Sequence, residues 1–288
     1  MKVLKTLPAI TIDMGGFPVK QAFPTQKVPN LDPFLLLHHA HTKYSNRRPA
    51  RSQGVGPHPH RGFSPVTFVI EGEVHHRDSF GNNQIAKEDE VQWIHAGAGI
   101  VHSERPSQAL VEGKRKQEII QLWINTPAAT KLLPPTYHYV PAKQMTSFTS
   151  KDGKISNKLI SGNYGEYEGK IAAQSELVII WAEGTEGGTQ TYQIPEGFQT
   201  QMYLIKGALK MNGFGLVDNE HLVVFEKESG QLIVTFKEEG QFLLLCGKPI
   251  EEKIEQYGPY VMNSQTELLE AMRDYQMGKM GILIEEDL

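Results

Sequence analysis

Pro57-His58-Pro59-His60 and, 42 residues beyond its last histidine, His102-Ser103-Glu104 are the stretches on which the reading of this chain turns. Each carries two metal-ligand side chains at i and i+2. On a β-strand, residues two apart stand on the same face. Two such strands side by side would aim three imidazoles and one carboxylate at a single point. Pro59 fixes its own φ and favours extended backbone at His58. Gly97-Ala98-Gly99 supplies a turn able to bring the second pair back to the first. Imidazole and carboxylate together suit Fe(II), Mn(II), Ni(II), Cu(II) or Zn(II). Four protein ligands on an octahedral ion leave two positions open for chemistry. Cys246 is the single cysteine, so a closed, cysteine-rich site is excluded.

Outward from these pairs the chain reads as short β-runs. Val66–Ile70, Glu118–Ile124, Leu177–Trp181, Met202–Ile205, Leu222–Phe225, Leu232–Phe236 and Phe242–Leu245 are rich in β-branched, aromatic or other apolar residues and bounded by turn formers. Many short strands with frequent Gly and Pro turns predict an all-β sandwich or barrel, not a βαβ fold. One helix is signalled, over 265–276. Ser264 and Glu267 form a capping box, Leu268, Leu269, Met272 and Tyr275 recur at helical spacing, and Gly278 can stop it. It is expected to cover an edge or face of a sheet.

A faint internal repeat matters more. Thr67-Phe-Val-Ile-Glu-Gly72-Glu-Val74 resembles Met202-Tyr-Leu-Ile-Lys-Gly207-Ala-Leu209, and Asp89–Ile94 resembles Asn219–Val224. The halves then share a fold, with ligand-type histidines only in the first. The Pro-rich stretch Thr126–Pro141 is the natural linker, giving domains at 1–135, with the metal site, and 136–288, without one.

Composition narrows the function. With 39 % hydrophobic and 22 % charged residues in 288, the chain can bury sizeable cores. A net charge of −4 offers no basic excess for direct contact with nucleic acid or an anionic membrane; Lys114-Arg115-Lys116 reads as a solvated loop. A lone cysteine, which cannot form an intrachain disulfide, fits a reducing, cytoplasmic setting. Met1–Gly16 shows no sustained apolar run, and no stretch is long enough to cross a bilayer. No G-x-S-x-G elbow or phosphate-binding loop is present, and Gly54-Val55-Gly56 lacks a helix pattern after it.

The remaining histidines are read as secondary. His39 and His41 follow an apolar run at i, i+2 spacing with His38 before them, and read as a polar strand end that could flank the metal. His75 and His76 read as surface residues, and His95 as lying near the mouth of the site. Arg61 and Gln121 are candidate pocket residues. The segment Lys43–Gly56, with Arg47, Arg48 and Arg51, reads as solvent-exposed, with a lid over the site as the other reading.

On these residues the chain resembles the pirin family of the cupin superfamily. The matching stretches are Leu31–Leu37, Pro57–Phe63, Glu71-Gly72 through His76-Arg77-Asp78-Ser79 to Gly81-Asn82, Gly97–Glu104, Gln121–Asn125 and Tyr257–Asn263. The resemblance implies a bicupin: two antiparallel β-barrel (jelly-roll) domains with the metal in the first. It implies His58, His60, His102 and Glu104 as ligands of one divalent ion, iron(II) foremost, with manganese, nickel, copper, zinc or cobalt as alternatives. General cupins carry a Glu four residues after the second histidine of the first motif. Here that position is Ser64, so the carboxylate must come from Glu104, as it does in pirins. Where many pirins have acidic residues, this chain has His38-His39-Ala40-His41.

Some pirins are similar to quercetin (flavonol) 2,3-dioxygenases. The expected activity is therefore metal-dependent oxidation of a small aromatic or enediol-type substrate, with Glu104 as ligand and base. The alternative is a redox-sensitive regulatory module that binds a protein partner without catalysis. Isomerases and epimerases also occur on this scaffold, so the fold does not choose among them.

Overall fold

The computed structural model describes residues 1–285 and folds into two compact units. One comprises Asp13–Val19, Leu36–Ala142 and Glu251–Leu288; the other comprises Met1–Ile12, Lys20–Leu35 and Lys143–Ile250. Each unit is assembled from three separate segments of the chain. Non-local pairing decides their membership. Strand Val3–Pro8 runs antiparallel to His221–Phe225, which draws the N-terminus into the second unit. The C-terminal helix joins the first unit instead. Its Leu268 and Ala271 are buried with Val101, Tyr260 and Met262, and Asp274 forms an ion pair with Arg61.

In the first unit, one sheet has the strand order Val55–His60, Ile100–Arg105, Glu73–Asp78, Asn83–Lys87. Facing it, the larger sheet includes the run Thr136–Val140, Val91–His95, Phe63–Glu71, Lys116–Asn125, Phe34–Lys43. The second unit repeats this plan. A sheet ordered Thr189–Ile194, Gly230–Phe236, Ala208–Met211, Gly215–Asp218 accompanies a seven-stranded one that includes Leu177–Gly184, Gly240–Gly247, Gln199–Lys206 and His221–Phe225. All seven β-runs read from the sequence are strands.

The repeat is structural. Gly72 and Gly207 turn equivalent hairpins at φ +81° and +84°, each with no room for a Cβ against the neighbouring strand. Counting from those glycines, His76 corresponds to Met211. The pairs Glu104↔His76 and Val234↔Met211 make Glu104 equivalent to Val234, and hence His102 to Leu232. The pairs His102↔His58 and Leu232↔Tyr192 extend the match to the last strand, where His60 corresponds to Ile194. Each of the positions of His58, His60, His102 and Glu104 in the first unit is therefore an apolar or aromatic core residue in the second. Tyr192, Ile194, Leu232 and Val234 are buried there with Met202, Leu204, Phe236 and Phe242. Burial of each such side chain is worth about 1.5–3 kcal/mol. The second unit uses as core what the first keeps as a polar hollow.

The helix spans Gln265–Gln276, and the Ser264 hydroxyl accepts from the Glu267 amide as its cap. Of the apolar residues at helical spacing only Leu268 is buried, since Ala271 takes the other core position and Leu269 is 67 % exposed. The expected linker is not a linker throughout. Its Thr136–Val140 portion pairs with Val91–His95 as an edge strand. Lys131 is buried within it, its ammonium donating to the Gly62 carbonyl and Asn125 Oδ1 at 2.8 Å. Among the described residues no helix is long and apolar enough to cross a membrane.

Candidate metal centre

Strands Val55–His60 and Ile100–Arg105 are antiparallel neighbours, and His102 lies directly opposite His58. The three nitrogens that His58, His60 and His102 offer all lie within 4.8 Å of one another. His58 Nδ1 donates to the Gly56 carbonyl at 2.8 Å, which commits its proton to that nitrogen and leaves Nε2 a bare lone pair. That lone pair faces His60 Nε2 at 3.1 Å. Two imidazole nitrogens, each about 2.1 Å from one cation at roughly a right angle, are separated by about this distance. Burial, with His58 adding to it, holds the His60 and His102 imidazoles well below their ordinary pKa, so both present neutral rings.

His102 is set by a buried relay. Asp78 Oδ2 accepts from His76 Nε2 at 3.0 Å, so His76 Nδ1 is an acceptor; it lies 3.4 Å from His102 Nδ1, which must then carry the proton. His102 Nε2 is left deprotonated, buried, and without a hydrogen-bond partner among the described residues. An orphaned lone pair in such a place is costly unless a cation takes it. Asp78 also accepts from the backbone amides of Phe80 and Asn82 and from Asn82 Nδ2; burial raises its carboxyl, but His76 and then the Asn82 bonds outweigh it and hold it below the usual range. Tyr137 stacks flat on His76, with centroids 4.2 Å apart. The residues present thus fit a divalent transition ion.

Glu104 is placed differently. It lines the same cavity, but its carboxylate lies outside the tight imidazole group. The register shifts between His102 and Glu104, which pairs with Val55; such bulges re-aim side chains. Thr67 Oγ1 donates to Glu104 Oε1 at 2.9 Å and accepts from Gln121 Nε2 at 3.2 Å. Thr67 and Gln121 are direct cross-strand partners, so the larger sheet holds the carboxylate.

His58 and His60 line a cavity of about 610 Å³, a volume suited to a small-molecule ligand, while His102 is fully buried. Phe17, Val19, Ile119 and Trp123 give it apolar walls, and His38, Tyr44 and Gln121 polar ones. The Trp123 ring lies 5.5 Å from that of His60. Tyr44 donates to Gln117 Oε1 at 2.7 Å, and burial with the Glu104 charge pushes its hydroxyl up to about 12.

Gln121 is thus in the cavity wall, whereas Arg61 is not. Arg61 is buried in an ion pair with Asp274 and donates to the Ala98 carbonyl. His76 is 1 % exposed, not a surface residue, because it shares strand parity with Val74 and Asp78, both inward. His95 is buried against Ser64 Oγ and Trp93 rather than lining the cavity. The ends of Lys43–Gly56 line the cavity through Tyr44, Gly54, Val55 and Gly56, while Arg47, Arg48 and Arg51 are exposed. Residue reasoning missed Asp78, Thr67 and Tyr44; the inward parity of Val74, His76 and Asp78 was the available signal for the first.

Comparison with known proteins places this geometry. The pirin profile matches residues 16–124, and that of the pirin C-terminal cupin domain matches 182–281. A Pseudomonas aeruginosa protein provisionally named a quercetin 2,3-dioxygenase is 32 % identical over 266 residues, 92 % of each chain. A pirin-like protein of Solanum lycopersicum is 31 % identical over 97 % of this chain and 92 % of its own. The crystal structure of a quercetin 2,3-dioxygenase from Acinetobacter baumannii superposes with a TM-score of 0.90 at 33 % identity, covering 98 % of this chain and 99 % of that one. The doubled two-sheet plan, the imidazole cluster confined to its first half and these full-length similarities lead to one conclusion: the chain belongs to the pirin family.

Proposed function

We propose that this protein is a metal-dependent oxidoreductase of the quercetin (flavonol) 2,3-dioxygenase type, acting on a small aromatic or enediol-type substrate. The observation that carries this reading is the convergence of His58, His60 and His102, the first two of which line a cavity with both apolar and hydrogen-bonding walls. In it, His58, His60, His102 and Glu104 hold one divalent ion, iron(II) by preference. Such an ion supplies Lewis acidity, which favours the deprotonated form of an enediol, and a redox couple suited to dioxygen. Glu104, steadied by the Thr67 hydroxyl, receives the substrate proton. Trp123, Phe17 and Ile119 receive the flat rings and keep water away. Asp78 and His76 keep His102 in the tautomer that presents Nε2.

The test is anaerobic reconstitution with Fe(II), then oxygen uptake over a panel of flavonols and enediols, with His60→Ala as control. Substrate-dependent uptake by the wild type and none by the variant is expected. Absence of metal-dependent turnover across the panel would sink the catalytic reading and leave the redox-sensitive, protein-binding one.

A further inference from the structure

The strand that walls the cavity carries a second donor set on its other face. Along Phe34–Lys43, His38, Ala40 and Thr42 line the cavity, so His39 and His41 point to the opposite side. The neighbouring strand Lys116–Asn125 shows the same parity, with Gln117, Ile119 and Gln121 lining the cavity and Glu118 facing away. His39 Nε2 lies 2.9 Å from Glu118 Oε1, and His41 Nδ1 lies 3.6 Å from Glu118 Oε2. The two rings are 4.3 Å apart, and one donor atom from each of the three residues falls within 4.8 Å of the others.

We propose that His39, His41 and Glu118 form a second, outer site for a divalent first-row transition ion. The separations of 2.9 and 3.6 Å between the two imidazoles and the carboxylate are within the span of ligands about 2.0–2.2 Å from a shared ion. Nitrogen-rich donors without sulfur select Zn(II), Ni(II) or Cu(II) over Mg(II) or Ca(II). His39 is 1 % exposed and anchors the site, while His41, half exposed, is its door to solvent. The carboxylate already lies beside both imidazoles, and loading puts the ion in place of the proton of the His39–Glu118 contact. Loading ties together two strands whose other faces wall the substrate cavity. This inference does not depend on the proposed activity.

The test uses the full chain stripped of metal and titrated with Ni(II) by calorimetry. The wild type is expected to take up two equivalents. His41→Ala, at a half-exposed position, is expected to fold as the wild type does and lose one equivalent, with the remaining one unchanged in affinity. Glu118→Gln keeps the shape and a hydrogen bond to His39 but loses the charge, and is expected to lose the same equivalent. His60→Ala is expected to weaken the inner equivalent and spare the outer. Superimposable isotherms for wild type and His41→Ala, whether one equivalent or two are taken up, would overturn the proposal.

Discussion

At the scale of single residues, the candidate metal centre depends on proton positions that side chains outside it dictate. Asp78 is the test. The backbone amides of Phe80 and Asn82 fix Oδ1 as an acceptor, so in Asp78→Asn the new amide group takes the place of Oδ2, which faces His76 Nε2. Two donors would then meet, and relief requires His76 to move its proton to Nδ1, against His102 Nδ1–H. Affinity at the inner site is expected to fall by about 10–100-fold, read by competition with a chromophoric chelator, while the circular dichroism stays native. Unchanged affinity would remove the relay from the account. Cys246 gives a second residue-scale expectation. It is buried and its thiol is pushed up to about 12 by that burial, so a thiol reagent should modify it only after unfolding. The sequence disclosed the three imidazoles that meet, His58, His60 and His102, because i, i+2 spacing has one simple meaning on a strand. It hid the relay because adjacent His75 and His76 differ only in which one faces inward.

At the scale of elements, alternation and turn chemistry carried most of the information. The capping box put the helix at Gln265–Gln276 because Ser264 and Glu267 act through local hydrogen bonds. Its packing was less legible, since Leu268 and Leu269 look alike in sequence and only contact with Tyr260 and Val101 distinguishes them. Thr136–Val140 was masked by the prolines before it. The hairpin glycines are where an element-scale prediction is sharpest. Gly72 holds φ +81°, and a Cβ there would stand 2.4 Å from the Lys116 carbonyl oxygen. Gly72→Ala should cost about 1–3 kcal/mol from backbone conformation alone, more with the clash, as read from the denaturant midpoint. A variant as stable as the wild type would mean that the hairpin relaxes freely.

At the scale of the whole molecule, the repeat was visible because the same hairpin recurs with its glycine. The membership of the termini was not visible, because strand Val3–Pro8 finds its partner more than 200 residues away. Buried neutral histidines make stability depend on pH. Burial lowers His38 from 6.5 to about 4, and His60 and His102 shift the same way. A histidine so depressed takes up its proton in the unfolded chain first. Its contribution is therefore intact above about 6.5 and is lost as pH falls towards 4, amounting to about 3 kcal/mol for His38. Melting temperatures of the metal-free protein should drop across that interval, less steeply in His38→Gln; a flat profile in the wild type would contradict the burial of these rings.

Trp123, set edge-on to His60, gives the chain a built-in optical gauge. A paramagnetic guest held by that ring sits within quenching range of an indole, so loading should dim the ultraviolet emission. Trp123→Phe should abolish most of the change while Trp93 and Trp181 continue to glow.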